Sequence, residues 1–162
     1  MVSAAGVAGV LVLAGWLLTR TGGDEKRTQR QAEVAAKGNG VMPFDLAKTT
    51  HVFTDLDDGG RQTVTANDAT DTEQIVSIRS HLQEEEAKFR GGDFSDPGAI
   101  HGENMPGLGE LKSAAGRVQV RYEELSDGAR LWYSSADPIL VDALHDWFNA
   151  QSSDHGSEHD RA

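Results

Sequence analysis

The chain has 162 residues, no Cys, and a formal net charge of −11 from 26 acidic and 15 basic groups. That length fits one domain of ordinary size and excludes a TIM barrel or a full two-domain enzyme, while the missing Cys excludes disulfides, iron–sulfur clusters and thiolate zinc sites. The acidic balance argues against a general nucleic-acid binder, whose phosphate contacts need a cationic surface.

The charge is uneven. Residues 1–41 hold five basic and three acidic groups, whereas 42–162 hold 10 basic and 23 acidic ones, a net −13. Lys37-Gly38-Asn39-Gly40, followed by Val41-Met42-Pro43, marks the seam, because Gly loosens the backbone and Pro restricts the residue before it. The expected organisation is a membrane anchor or uncleaved signal over 1–20, a basic flexible stalk over 21–42, an α+β domain over 43–153 and a polar, His-containing tail over 154–162.

Ala4 to Leu18 is uncharged and mostly apolar. As a helix it would reach ~22 Å, short of the ~30 Å hydrocarbon core, and Met1 to Thr19 would span with local thinning. Trp16 suits the interface. The competing readings are a mis-assigned start codon and a cleaved secretory signal, although the basic n-region of a signal is missing. Arg20, Lys26, Arg27 and Arg30 follow the run, so the positive-inside rule places the domain on the cytoplasmic face of a single-pass cell-membrane protein, whereas a signal-anchor reading places it outside.

Thr49–Leu56 is β-branched and aromatic, Asp57-Asp58-Gly59-Gly60 turns, and Arg61–Ala66 returns as a second strand. Asp71 then caps a helix, with Gln74 completing a capping box and Ile75, Ile78, Leu82 and Phe89 forming its apolar stripe. Glu84–Lys88 and Glu86–Arg90 are spaced for ion pairs, and Gly91-Gly92 stops the helix. The scheme repeats: Arg117–Tyr122, a turn at Ser126-Asp127-Gly128, Ala129–Ser134, then Asp137-Pro138 opening a helix with Leu140, Val141, Leu144, Trp147 and Phe148 on its apolar face. Two β-β-α units forming a four-stranded antiparallel sheet, with two main helices on one face and an N-terminal membrane helix, is the expected α+β fold.

The linker from Gly91 to Leu108 is rich in Gly and Pro but carries apolar anchors at Phe94, Ile100, Met105 and Leu108, as a structured and functional loop does. A short helix over Leu108–Ala115 is expected before the third strand. Gly92-Asp93-Phe94-Ser95-Asp96-Pro97, Ile100-His101-Gly102 and Met105-Pro106-Gly107-Leu108 stand with Phe44-Asp45-Leu46 upstream and Trp147–Gln151 and Asp154-His155-Gly156 downstream. Over residues 42–156 this pattern resembles a family of small bacterial proteins, some of which carry the label aspartate carbamoyltransferase. The Ser-Thr-Arg-Thr and His-Pro-x-Gln motifs of that enzyme are missing here, and the chain is about half the length its two domains need, so the resemblance brings no catalytic residue with it.

Histidines carry the sharpest candidate chemistry, since imidazole binds a divalent or copper ion without Cys. Aligning the two main helices places His81 and His145 at equivalent positions; His101 on the loop could close a metal site, and Met105 would add a soft ligand. Glu85 or Asp142 would serve as a further ligand or hydrogen-bonding partner. On the helical wheel His81 lies roughly 80° and His145 roughly 110° from the centre of its stripe, positions where packing histidines are common. His155 and His159 fall in the polar tail. The carboxylates Asp93, Asp96 and Glu103 could pair as acid and base in a small hydrolase or transferase. Phosphate-loop and Gly-x-Ser-x-Gly motifs are missing. The reading is a membrane-tethered acidic binding domain with a His-based metal site; a protein-interaction adaptor using the open sheet face is the alternative.

Overall fold

A computed structural model describes residues 10–156 and 158–161, with side chains described over 23–156. Helix α1 (Val10–Val41) leads to a 3₁₀ turn (Leu46–Lys48) and the antiparallel pair β1 (Thr49–Leu56) and β2 (Gly59–Ala66). Helix α2 (Thr72–Arg90), two short helices α3 (Ser95–His101) and α4 (Leu108–Lys112), the pair β3 (Gln119–Leu125) and β4 (Gly128–Ser134), and helix α5 (Pro138–His155) follow.

The fold is α+β, and β1 to β4 form the expected antiparallel sheet, with β2 against β4 at its centre. A fifth strand, β5 (Glu158–Arg161), adds parallel to β1, so the order is β3-β4-β2-β1-β5. Both main helices cover one face, and each crosses to the other unit's hairpin: α2 lies chiefly on β3 and β4, α5 on β1 and β2. Phe53, Val64, Leu131 and Tyr133 meet Ile78, Leu82, Leu144, Trp147 and Phe148 between these layers. Such apolar burial stabilises by roughly 25 cal/mol per Å².

Local chemistry explains the boundaries. Asp71 accepts from Gln74 N (3.2 Å), but the Gln74 amide does not close a capping box. It pairs with the backbone of Asp45 instead, accepting at 3.1 Å, and holds the 3₁₀ turn to α2. Asp137 caps α5 through Ile139 N (3.0 Å), with Pro138 in the first turn. Gly59 and Gly60, expected in the turn, belong to β2. A Cβ at Gly59 would stand 2.1 Å from the Tyr133 carbonyl oxygen, and one at Gly60 2.2 Å from the Phe148 ring, so close packing demands glycine there.

Two expectations change. The stalk is helical through Val41, because 24–37 is built of good helix formers and its inner side is held by buried Val34 and by Arg30. Residues 1–9 of the expected anchor lie outside the described residues, and among the described residues no helix is long and apolar enough to cross a membrane. Much of the 91–108 loop is helical: Asp93 accepts from Ser95 N, Pro97 sits in the first turn of α3, and Phe94 stacks on Phe89 with ring centres 4.6 Å apart. The short helix α4 forms where expected, ending at Lys112.

Candidate functional site

Four histidines converge where the start of β1, the middle of α2 and the C-terminal ends of α3 and α5 meet. His51 shares the inward face of β1 with Phe53, two residues on. His81, Leu82, Glu85 and Phe89 follow one another at helical spacing on the buried side of α2. His101 ends α3, and Trp147, Gln151 and His155 form an i, i+4, i+8 row on α5. All of them line one cavity with about 30 Å³ of water-accessible space. Its outer wall, His51 and His155, also borders an open groove of about 550 Å³ between α1 and the 3₁₀ turn.

The rings are close. His155 stands edge-on to His101 with centres 4.8 Å apart, and 5.3 Å from His51. The Nδ1 of His101 lies 2.8 Å from Asp154 Oδ2. Arg30 donates to both Asp154 oxygens, at 2.9 and 2.6 Å, and to the His101 carbonyl at 2.6 Å. An ionised carboxylate only accepts, so it selects the Nδ1–H tautomer of His101 and leaves Nε2 with a lone pair.

Burial decides the protonation states. Burial, reinforced by His155, pushes the His51 pKa down to about 3. Burial and the neighbouring His101 push His155 down to about 4. Burial also lowers His81, and it lowers His101 despite Asp154. Burial works against the Asp154 carboxylate, but the bonds from Arg30 and His101 outweigh it and the pKa falls. Four neutral imidazoles therefore face the cavity at pH 7, the state that binds metal.

The remaining wall is polar in a specific way. Burial raises Glu85 to about 7, against the opposing pull of Lys88, whose ammonium lies 2.9 Å away. Lys88 also holds Asp96, at 2.6 Å, so the Glu84–Lys88 pair expected from spacing gives way to a bridge from α2 to α3; Glu86–Arg90 forms at 3.1 Å. Among the described residues, the buried Trp147 Nε1 and Gln151 Nε2 donors have no acceptor. Met42 supplies a thioether to the lining.

Of the candidates, the structure brings His81 and His101 to this cavity and separates His145 from them. His145 Nε2 lies 3.0 Å from the Leu56 carbonyl and 2.8 Å from that of Gly59, bracing the β1–β2 turn. Met105 is buried in the apolar core, on the far side of His101. Asp93 caps α3, Asp96 pairs with Lys88 and exposed Glu103 pairs with Lys112, so the three loop carboxylates do not converge. His51 and His155 are the members that sequence reasoning passed over. The alternation with Phe53 and the row from Trp147 were the available signals. His155 belongs to α5, not to a loose tail, and Gly156 caps the helix behind it. The side chain of His159 lies outside those described.

As they stand, no three or more His, Cys, Asp or Glu side chains among the described residues are grouped to hold a metal ion. Comparison with family models, curated proteins and solved structures gives no match for the chain.

Proposed function

We propose that the chain is a membrane-tethered acidic binding domain whose ligand is a divalent or copper ion, taken up in the histidine cavity. His51, His101 and His155 are the ligands, with His81, Glu85 and Met42 around them. The observation that carries this reading is the spacing of the rings about His155, 4.8 and 5.3 Å. Two imidazoles sharing one ion at ~2.1 Å, at a tetrahedral angle, put their centres about 5 Å apart. Coordination asks only that the rings turn their lone pairs onto one point. The size of the cavity supports an ion over an organic molecule, because about 30 Å³ holds roughly two waters. Asp154 behind His101 supplies the carboxylate partner that metal-binding histidines commonly have, and it is itself fixed by Arg30. The tether rests on the uncharged run Ala4–Leu18, with the domain on the cytoplasmic face; a reporter fused after residue 162 tests that side.

Calorimetric titration of the full chain with zinc, copper and nickel tests the site. One ion per chain is expected, with affinity lowered at least tenfold by His101→Ala or His155→Ala and about 10- to 100-fold by Asp154→Asn. Unchanged binding by a His51→Ala/His101→Ala/His155→Ala variant overturns the assignment.

A further inference from the structure

The sheet face turned away from α2 and α5 carries a cationic island on an acidic domain. Arg121 of β3, Trp132 of β4 and Arg61 of β2 are aligned across three neighbouring strands. Arg130, two residues before Trp132, points to the same face. The guanidinium carbons of Arg121, Arg61 and Arg130 lie 5.4, 5.5 and 5.7 Å from the centre of the Trp132 ring, within cation–π range.

The charge on this face is only partly balanced. Glu123 accepts from Trp132 Nε1 at 2.6 Å and lies 3.8 Å from Arg130. Arg61 donates to the Thr54 hydroxyl at 3.2 Å. The Nε groups of Arg61 and Arg130 are buried and without an acceptor among the described residues. Arg121 is exposed and stacks on Trp132. A guanidinium lying over an aromatic ring keeps its N–H fork at the edge, directed outward to a planar carboxylate.

The strand that carries Arg121 is also the outer one. Among the described residues, β3 pairs with β4 on one side and with nothing on the other. Its N–H and C=O row is a template for an added strand. An extended segment laid beside it would place alternate side chains on the face of Arg121. In a region of net −13, three arginines gathered on one face select negative charge.

We propose that this face docks an extended acidic segment of a protein partner, which adds to the free edge of β3 and sets its carboxylates on Arg121 within the positive field of Arg130 and Arg61. The site is separate from the histidine cavity, which lies on the other side of the sheet.

Fluorescence anisotropy of the full chain with a labelled (Thr-Glu)₄ peptide, whose carboxylates share one face when extended, tests this. The (Thr-Lys)₄ peptide and phosphatidylglycerol vesicles are the comparison probes. Saturable, salt-sensitive binding is expected, weakened at least tenfold by Arg121→Glu and unchanged by His101→Ala. Arg121 is exposed, so its variant should melt with the wild type; Trp132→Phe, which keeps a ring but removes the indole donor, should retain binding within about threefold. Equal binding by the Arg121→Glu variant, equal binding of the lysine peptide, or binding of vesicles but not of the acidic peptide each overturns the proposal.

Discussion

The Nδ1 atom of His101 lies 2.8 Å from Oδ2 of Asp154, although 53 residues separate them. This contact ties the end of α3 to the last turn of α5. Arg30 of α1 grips the same carboxylate, so three helices meet at one charged group. The position of His101 is set by that junction and not by its own loop.

Arg30→Ala should therefore loosen both α1 and the cavity. It removes two charge-assisted bonds to Asp154 and one to the His101 carbonyl. Partial exposure of Arg30 reduces their worth, and a loss of about 1 kcal/mol is expected, a fall of roughly 3–5 °C in melting temperature. Hydrogen exchange of the α1 amides should rise in parallel. Unchanged exchange between residues 24 and 37 would contradict a docked helix.

His145→Ala should separate stability from ligand uptake. The change leaves the carbonyls of Leu56 and Gly59 without their donor, at a cost of about 1–3 kcal/mol. Metal affinity should stay within twofold of wild type in the same titration that reports on His101. A tenfold loss for His145→Ala would move the site to the β1–β2 turn.

Stability should respond to pH in two opposing ways. His51 and His155 have folded pKa values lowered from 6.5 to about 3 and about 4. Their contribution is complete above pH 6.5 and is lost as pH falls toward those values, by ~1.4 kcal/mol per pH unit for each group within the window. Glu85 is raised from 4.5 to about 7, so its contribution is complete below 4.5 and is lost as pH rises through 7. Glu85→Gln keeps the neutral shape. It should match the wild type near pH 5 and exceed it at pH 8 by about 1–3 kcal/mol in urea melts. A difference that does not change with pH would refute the buried-acid assignment.

Two glycines at the start of α4 make a paired test of backbone constraint. Gly107 has φ +73°, and a Cβ there would come 2.0 Å from the Ala143 carbonyl oxygen. Gly107→Ala should cost at least ~2 kcal/mol. Gly109, two residues on within α4, has open space around its Cβ direction, and Gly109→Ala should stabilise by about 0.5–1 kcal/mol. Equal melting temperatures for the two variants would refute the docking of this turn on α5.

The secondary structure was largely legible because its signals are local. Alternation marked the strands, the 3.6-residue stripe marked α2 and α5, and Asp71 and Asp137 capped them as their positions suggested. The stalk and the 91–108 segment misled for one reason. Their glycines and prolines read as loop, yet long-range partners hold them helical: Val34 and Arg30 for α1, and Phe94 stacked on Phe89 for α3. The apparent equivalence of His81 and His145 also dissolves in three dimensions. The helix that braces the second hairpin does so through Arg79, bound to the carbonyls of Leu125, Ser126 and Gly128, while His145 performs that task for the first.

Sequence alone determined the α+β class, the two β-β-α units, the acidic character of the domain and the restriction of any metal chemistry to His, carboxylate and Met. Those follow from periodicity, turn and cap residues, and composition, none of which needs a distant contact. Only the tertiary structure decided which histidines meet. His51 and His155 are 104 positions apart and become neighbours because the α5 C-terminus crosses β1, and Asp154 becomes the partner of His101 by that same crossing. Burial at that junction, a property of packing and not of any local pattern, then strips the imidazoles of their protons and gives the cavity its chemistry.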